Sequence, residues 1–168
     1  MKKILYMAIS LNGMIAKNDD DTSWISETEW NSYSSAVRNS GCLIVGKRTY
    51  NILTKQPEFS ELKDVQLVVV SNENFPTIAS NHLVTSSPKE ALDKLKNFET
   101  VIIAGGGVLN TSFLKEKLVD EIYLDIEPII LGEGIKLFND NDFEVNLELL
   151  ETKLLSQNEI QLHYKVIK

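Results

Sequence analysis

The sequence predicts an α/β fold in which a mostly parallel central sheet carries helices on both faces and ends in an antiparallel C-terminal hairpin. Three observations carry this reading. Short continuous apolar runs, such as 42–46, 65–70 and 100–104, have the length of strands buried on both faces. Segments with helix start and stop signals separate them. Near the end of the chain Phe143, Val145, Leu147 and Leu149 alternate with polar residues, as do Ile160, Leu162, Tyr164 and Val166, which is the pattern of a terminal antiparallel pair. With 168 residues there is room for one core, so 1–168 is read as a single domain.

Taken in order, Lys3 to Ile9 forms the first strand, and Ser10 to Trp24 a long polar loop containing Asn12-Gly13 and Asp19-Asp20-Asp21. Loops of that length inside a compact domain are often functional. Ser26 opens a helix as its N-cap, with Glu29 three residues later completing a capping box, and Asn39-Ser40-Gly41 stops it. A second strand, Cys42 to Gly46, runs straight into Lys47-Arg48-Thr49-Tyr50, the first turn of a short helix. Val65 to Val70 is the third strand and ends at Ser71-Asn72. Ser87-Pro88-Lys89-Glu90 repeats the capping box with proline at the first helical position. Thr100 to Ala104 is the fourth, and Gly105-Gly106-Gly107 joins it to a helix carrying Leu109, Phe113 and Leu114. Glu121 to Ile126 is a further strand, followed by the Pro128 to Gly134 segment. Ser156-Gln157-Asn158 lies near the turn of the final hairpin.

Composition removes several function classes. A balance of 17 basic against 24 acidic residues gives a formal charge of −7, a field that repels phosphate backbones and anionic lipid. Neither nucleic acid nor a membrane surface is an expected partner. No stretch approaches the ~20 apolar residues that span a bilayer. The basic start followed by Ile4 to Ile9 is broken by Ser10 and Asn12-Gly13, which fits a buried strand better than a signal peptide. The expected location is cytoplasmic. The single cysteine, Cys42, sits in an apolar run and reads as a small core residue. With two histidines far apart, His82 and His163, no metal site is expected.

In an open α/β sheet, ligands collect beyond the carboxyl ends of the strands. Four such ends carry unusual residues here: the loop after Ile9, the Gly46-Lys47-Arg48-Thr49 turn, Ser71-Asn72 and the glycine triplet. Glycines 105–107 let a ligand approach the backbone where helix N–H groups can face an anion, although a glycine triplet is more often a tight turn. Lys47, Arg48 and Thr49 offer two charges and a hydroxyl at a second helix start. Together the two starts suit a ligand with more than one phosphate, such as a dinucleotide. The Rossmann fingerprint is absent, because the triplet lacks the last glycine of GxGxxG and no acidic residue follows to hold a ribose.

With these residues in view, the chain resembles the dihydrofolate reductase-like superfamily over nearly its whole length. Within it, the chain is most similar to the reductase domain of the bacterial bifunctional riboflavin-biosynthesis deaminase-reductase. Ser10-Leu11-Asn12-Gly13-Met14-Ile15-Ala16 is similar to that family's S-L-D-G-x-I-A loop, with Asn12 in place of aspartate. Gly46-Lys47-Arg48-Thr49-Tyr50 is similar to the G-R-x-T-W/Y motif of dihydrofolate reductases. Ile103-Ala104-Gly105-Gly106-Gly107 resembles their strand-to-helix glycine motif. Glu127 to Gly134 resembles the P-x-x-L-G-x-G segment of the riboflavin branch.

The resemblance implies a three-layer dihydrofolate reductase-like fold and NADPH as cofactor. The adenosine phosphate would meet Gly46, Lys47, Arg48, Thr49 and Ser71, with Asn72 beside them. The pyrophosphate would lie on Gly105, Gly106, Gly107 and Val108, and the nicotinamide near Ala8 and Ile15. The long loop would act as a lid. In dihydrofolate reductases a carboxylate on the first helix lies five residues after a loop tryptophan, which implies Trp24 and Glu29 as substrate-binding residues and Glu29 as the acid. Glu29 has an equal second reading as the capping-box partner of Ser26. Trp30 reads as core, and Arg38 as either a partner of the helix end or a contact for substrate phosphate.

The leading expectation is an NADPH-dependent oxidoreductase like the riboflavin-pathway enzyme, which reduces the ribosyl ring of a phosphoribosylaminouracil. No H-x-E and P-C-x-x-C pair is present for a zinc deaminase half. Dihydrofolate reduction is the alternative. A non-catalytic NADPH-binding domain is the second, left open by Asn12. The resemblance also implies a homodimer through the C-terminal strands.

Overall fold

A computed structural model describes residues 1–139 and 142–168. Its central sheet has eight strands. In chain order the strands and helices are β1 (Lys2–Ser10), β2 (Met14–Ala16), α1 (Glu27–Ser40), β3 (Cys42–Gly46), α2 (Lys47–Leu53), β4 (Gln66–Val70), β5 (His82–Thr85) and α3 (Pro88–Lys94). They continue with β6 (Thr100–Ile103), α4 (Gly107–Lys115), β7 (Glu121–Glu127), β8 (Ile135–Lys136), β9 (Leu147–Leu154) and β10 (Ile160–Val166). The order across the sheet is β5-β4-β3-β6-β1-β7-β10-β9, and β2 pairs with β8 as a small separate ladder. Strands β5 to β7 in that order run parallel, whereas β10 is antiparallel to both β7 and β9.

The continuous apolar runs are explained by burial on both faces. Leu43, Val45, Leu67, Val69 and Ile102 point to one side, where they pack with Tyr33 and Val37 of α1, Tyr50 and Leu53 of α2 and Leu62. Their sequence neighbours Cys42, Ile44, Val68, Val101 and Ile103 point to the other, against Ala91, Leu109, Phe113 and Leu114 from α3 and α4. Alternation along each strand thus feeds two cores, and the only polar residue inside these three runs besides the strand-opening Thr100 is Gln66, at the first position of β4. Phe113 is fully buried between sheet and helix. Loss of its ring would cost about 3–5 kcal/mol.

Four local features depart from the sequence reading. The loop after β1 is partly a strand, because Met14 and Ala16 pair with Lys136 and Ile135 across a bulge. A 3-10 helix over Pro57–Leu62 follows α2, and β5 supplies a short edge strand too weak to read by pattern. The penultimate strand begins at Leu147, not Phe143. Phe143 and Val145 pack on the α4-side core, and the ladder of β9 is set by its partner, running from Leu147 opposite Val166 to Leu154 opposite Ile160. All of β9 is exposed and forms the free edge of the sheet.

This topology puts the carboxyl ends of β1, β3, β4 and β6 along one edge of the sheet, each followed by one of the motifs singled out above. No described helix is long and apolar enough to cross a membrane.

Candidate active site

At that edge lies a cleft of about 1150 Å³. The starts of α2 and α4 form one end, and α1 with the 3-10 helix forms the other. Ala8 and Ile15 lie in the wall between them.

The α4 start is built by the glycine triplet. Gly105 has φ +80°, a conformation that favours glycine, and its carbonyl accepts the Gly46 N–H at 2.7 Å. That bond ties the two helix starts together. Neither N-cap, Gly46 for α2 or Gly106 for α4, supplies a side chain to its helix. The first-turn N–H groups of α4 therefore face the cleft without a side-chain cap, as an anion site requires. Gly107 has a different cause: a Cβ there would stand 2.5 Å from the Lys136 carbonyl oxygen, so the residue is fixed by internal packing. A Cβ on Gly106 would meet the Thr49 hydroxyl at 3.4 Å.

Lys47 and Arg48 both line the cleft, and each is engaged by a carboxylate. Lys47 Nζ lies 2.5 Å from Glu73, and Arg48 Nε lies 2.6 Å from Asp20 in the long loop. Ser71 and Asn72 lie beside them in the lining.

At the other end Glu29 is the decisive residue. It is only 5% exposed and lines the cleft, and among the described residues its carboxyl has no hydrogen-bond partner. The capping box is half formed. Ser26 Oγ accepts the Glu29 N–H at 3.0 Å, but the Ser26 N–H goes to Glu127 Oε1 of β7 at 2.9 Å. Only the backbone half of that capping box is formed, and the Glu29 carboxyl does not return to Ser26. Burial pushes its carboxyl well above the usual carboxylate range, and the negative charges of Asp125, Glu127 and Glu159 push it the same way. Asp125 is itself buried, held by Tyr6 Oη at 2.8 Å and Gln161 Nε2 at 2.7 Å. Burial raises its carboxyl, more than those hydrogen bonds lower it.

Most of the residues expected from the sequence meet here: Ala8, Ile15, Glu29, Gly46, Lys47, Arg48, Thr49, Ser71, Asn72, Gly106, Gly107 and Val108. Two do not line the cleft. Gly105 lies behind Gly106, its carbonyl turned to β3. Trp24 is turned away because its indole N–H donates to Asp21 O at 3.2 Å, which anchors the loop on itself. Trp30, read as core, does line the cleft and donates to Glu61. Arg38 pairs with Glu61 at 2.8 Å, away from the lining. Sequence reasoning missed Asp125 and Glu127. Their signal was the alternation of Glu121, Tyr123, Asp125 and Glu127 with Ile122, Leu124 and Ile126 along the strand.

Cys42 is fully buried, and burial pushes its thiol up to about 12, so it is inert at neutral pH. No group of three or more His, Cys, Asp or Glu among the described residues is placed to hold a metal ion.

Comparison with known proteins follows this geometry. Residues 2–160 match the model of the RibD C-terminal domain family. The chain belongs to that family. It is 32% identical over 169 residues to YwjB of Bacillus subtilis strain 168, an uncharacterized protein, covering 97% of each chain. It is also 32% identical over 132 residues to dihydrofolate reductase type 1 of Escherichia coli, covering 76% of this RibD-family chain and 78% of that one. Among solved structures, dihydrofolate reductase of Enterococcus faecalis, complexed with NADP(H), superposes with a TM-score of 0.77 at 18% identity, covering 99% of this chain and 97% of the other. The fold is thus dihydrofolate reductase-like, and the family is one of reductase domains.

Proposed function

We propose that the chain is an NADPH-dependent reductase that adds hydride to the carbon of a C=N or C=O bond in a small heterocyclic or sugar-derived substrate. One observation carries this reading: Glu29, a buried carboxyl with no hydrogen-bond partner among the described residues, shares a cleft with a glycine-rich helix start that has no side-chain cap. The first element is suited to holding a proton for an acceptor, and the second to holding phosphate.

The residues present fit the cofactor. Gly106, Gly107 and Val108 offer backbone N–H groups to a pyrophosphate, and Lys47, Arg48, Ser71 and Asn72 offer charges and polar groups to a 2′-phosphate. NADPH, when bound, supplies the hydride. Ala8 and Ile15 shape the wall between the two ends, where water must be excluded. When hydride forms the new C–H bond, the π pair of the acceptor moves to its nitrogen or oxygen. Glu29, protonated before the step, donates to that atom and regains its proton from solvent.

The riboflavin-type substrate, a phosphoribosylaminouracil, is supported by the family. A second reading, dihydrofolate reduction, is supported by the curated reductase relative and by a carboxyl on the first helix. The deciding experiment follows absorbance at 340 nm with NADPH and each acceptor in turn. Oxidation with either one establishes a reductase and eliminates a non-catalytic nucleotide-binding domain. Failure of NADPH to bind sinks the reading.

A further inference from the structure

We propose that Glu127 is the positioning residue of the acid: its carboxylate occupies the cap position that the sequence assigns to Glu29, and so leaves the Glu29 carboxyl facing the cleft. The inference deepens the reductase reading, but the structural relation it describes does not depend on a bound cofactor.

Ser26-Ile25-flanked helix starts of the S-x-x-E type ordinarily close reciprocally, the serine taking the N–H of the fourth residue and the glutamate turning back to the serine N–H. Here the first bond is present and the second has been replaced from 101 residues away in sequence. One N–H has one proton, and at 2.9 Å Glu127 Oε1 is seated on it. The Glu29 carboxyl therefore cannot close the box on that N–H. An unpartnered buried carboxyl is costly, and its persistence calls for a competitor at the position it would otherwise take.

The strand geometry shows how the competitor reaches. Side chains two apart on β7 share a face, so Asp125 and Glu127 both point to the α1 side. Register fixes them: Asp125 lies opposite Ala8 and Glu127 opposite Ser10 of β1. Glu127 is 3% exposed, and it accepts its bond at the positive end of a helix, which favours a carboxylate there.

The groups that act on Glu29 come from each neighbouring element. Asp125 and Glu127 face it from β7, Glu159 from the turn before β10, Tyr6 from β1 and Tyr33 from its own helix. All three charged ones are carboxylates, so Glu127 acts twice, as the occupant of the cap and as a negative charge.

Two variants separate these roles. Glu127→Gln keeps a carbonyl oxygen for the Ser26 N–H but removes the charge. Glu127→Ala removes both and frees the Ser26 N–H to recapture Glu29. The readout is the carbon-13 titration of the Glu29 carboxyl in apo protein labelled at glutamate, assigned with Glu29→Gln. The expected order of midpoints is wild type above Glu127→Gln above Glu127→Ala. If Glu127→Ala does not fold, Glu127→Asp replaces it, since the shorter side chain keeps the charge and loses the reach; the Glu29 midpoint should still fall. In turnover, kcat/KM at pH 7 should drop up to tenfold for each pH unit by which the midpoint falls, with KM for NADPH unchanged. A Glu29 midpoint in Glu127→Ala or Glu127→Asp equal to that of wild type overturns the proposal, even if stability drops. Failure of the reductase reading would show separately, as absence of NADPH binding or oxidation in a protein whose Glu29 titration follows the expected order.

Discussion

Arg48 Nε lies 2.6 Å from a carboxylate oxygen of Asp20, and this pair joins the start of α2 to the long loop after β2. In the proposed function the same guanidinium would meet a cofactor phosphate, and Asp20 would then compete with the ligand for it. An exposed pair of this kind is worth about 0.2–1 kcal/mol. Asp20→Ala should therefore tighten NADPH binding by up to about fivefold at low salt, with the gain shrinking as salt rises. Isothermal titration at two ionic strengths checks it. Weaker binding in the variant would mean that the pair holds the loop in a productive position instead.

Discrimination between the two nicotinamide nucleotides should rest on the same helix start. Replacing Lys47 and Arg48 together by Ala is expected to weaken NADPH by tenfold or more, about 1.4 kcal/mol, while NADH changes little. The shift in melting temperature at fixed nucleotide concentration reports this directly. Equal losses for both nucleotides would move these residues from the 2′-phosphate to the pyrophosphate.

The two glycines at the start of α4, its N-cap Gly106 and first residue Gly107, separate packing from binding. Gly107→Ala drives a methyl toward the Lys136 carbonyl oxygen, 2.5 Å away, and is expected to destabilise the fold by about 1–3 kcal/mol. Gly106 has φ −77°, which alanine adopts freely, and its new Cβ would meet the Thr49 hydroxyl at 3.4 Å and Ile15 Cδ1 at 3.9 Å. Gly106→Ala should fold normally and bind NADPH less tightly, because the methyl sits where the backbone faces the cleft. Thermal melts with and without nucleotide distinguish the two.

These glycines also show how far the sequence could be read. The triplet after a buried apolar run marks the strand end and a helix start without a side-chain cap, because each is a local consequence of residue type. So does Cys42 to Gly46, whose two buried faces leave no polar position. Local reading failed where a partner far along the chain decided the outcome. Ser26 and Glu29 have the spacing of a capping box, yet Glu127 takes the reciprocal bond, and no window around α1 contains that information. Trp24 has the right spacing for a pocket wall, but a bond within its own loop turns it back to Asp21. The start of β9 escaped for the same reason, since Phe143 and Val145 alternate like strand residues while serving the core beneath α4.

The ionisation of Glu29 makes stability depend on pH in a stated direction. Its carboxyl titrates higher in the folded chain than in the unfolded one, so the folded state holds the proton more tightly. The stabilisation this gives is complete below the unfolded value, near 4.5, and is lost as pH rises through the folded value. Glu29→Gln mimics the protonated acid without the later cost of burying a charge. The variant should therefore match wild type near pH 4 and exceed it increasingly at neutral and alkaline pH, each kcal/mol appearing as about 2–4 °C in Tm for a chain of this size. Activity should move the other way, because glutamine has no proton to give. Melting curves from pH 4 to 9, set beside NADPH oxidation over the same range, test both halves. A Glu29→Gln variant less stable than wild type at pH 8 would mean that the carboxylate has a stabilising partner in the fold, and would remove the basis for assigning it the proton.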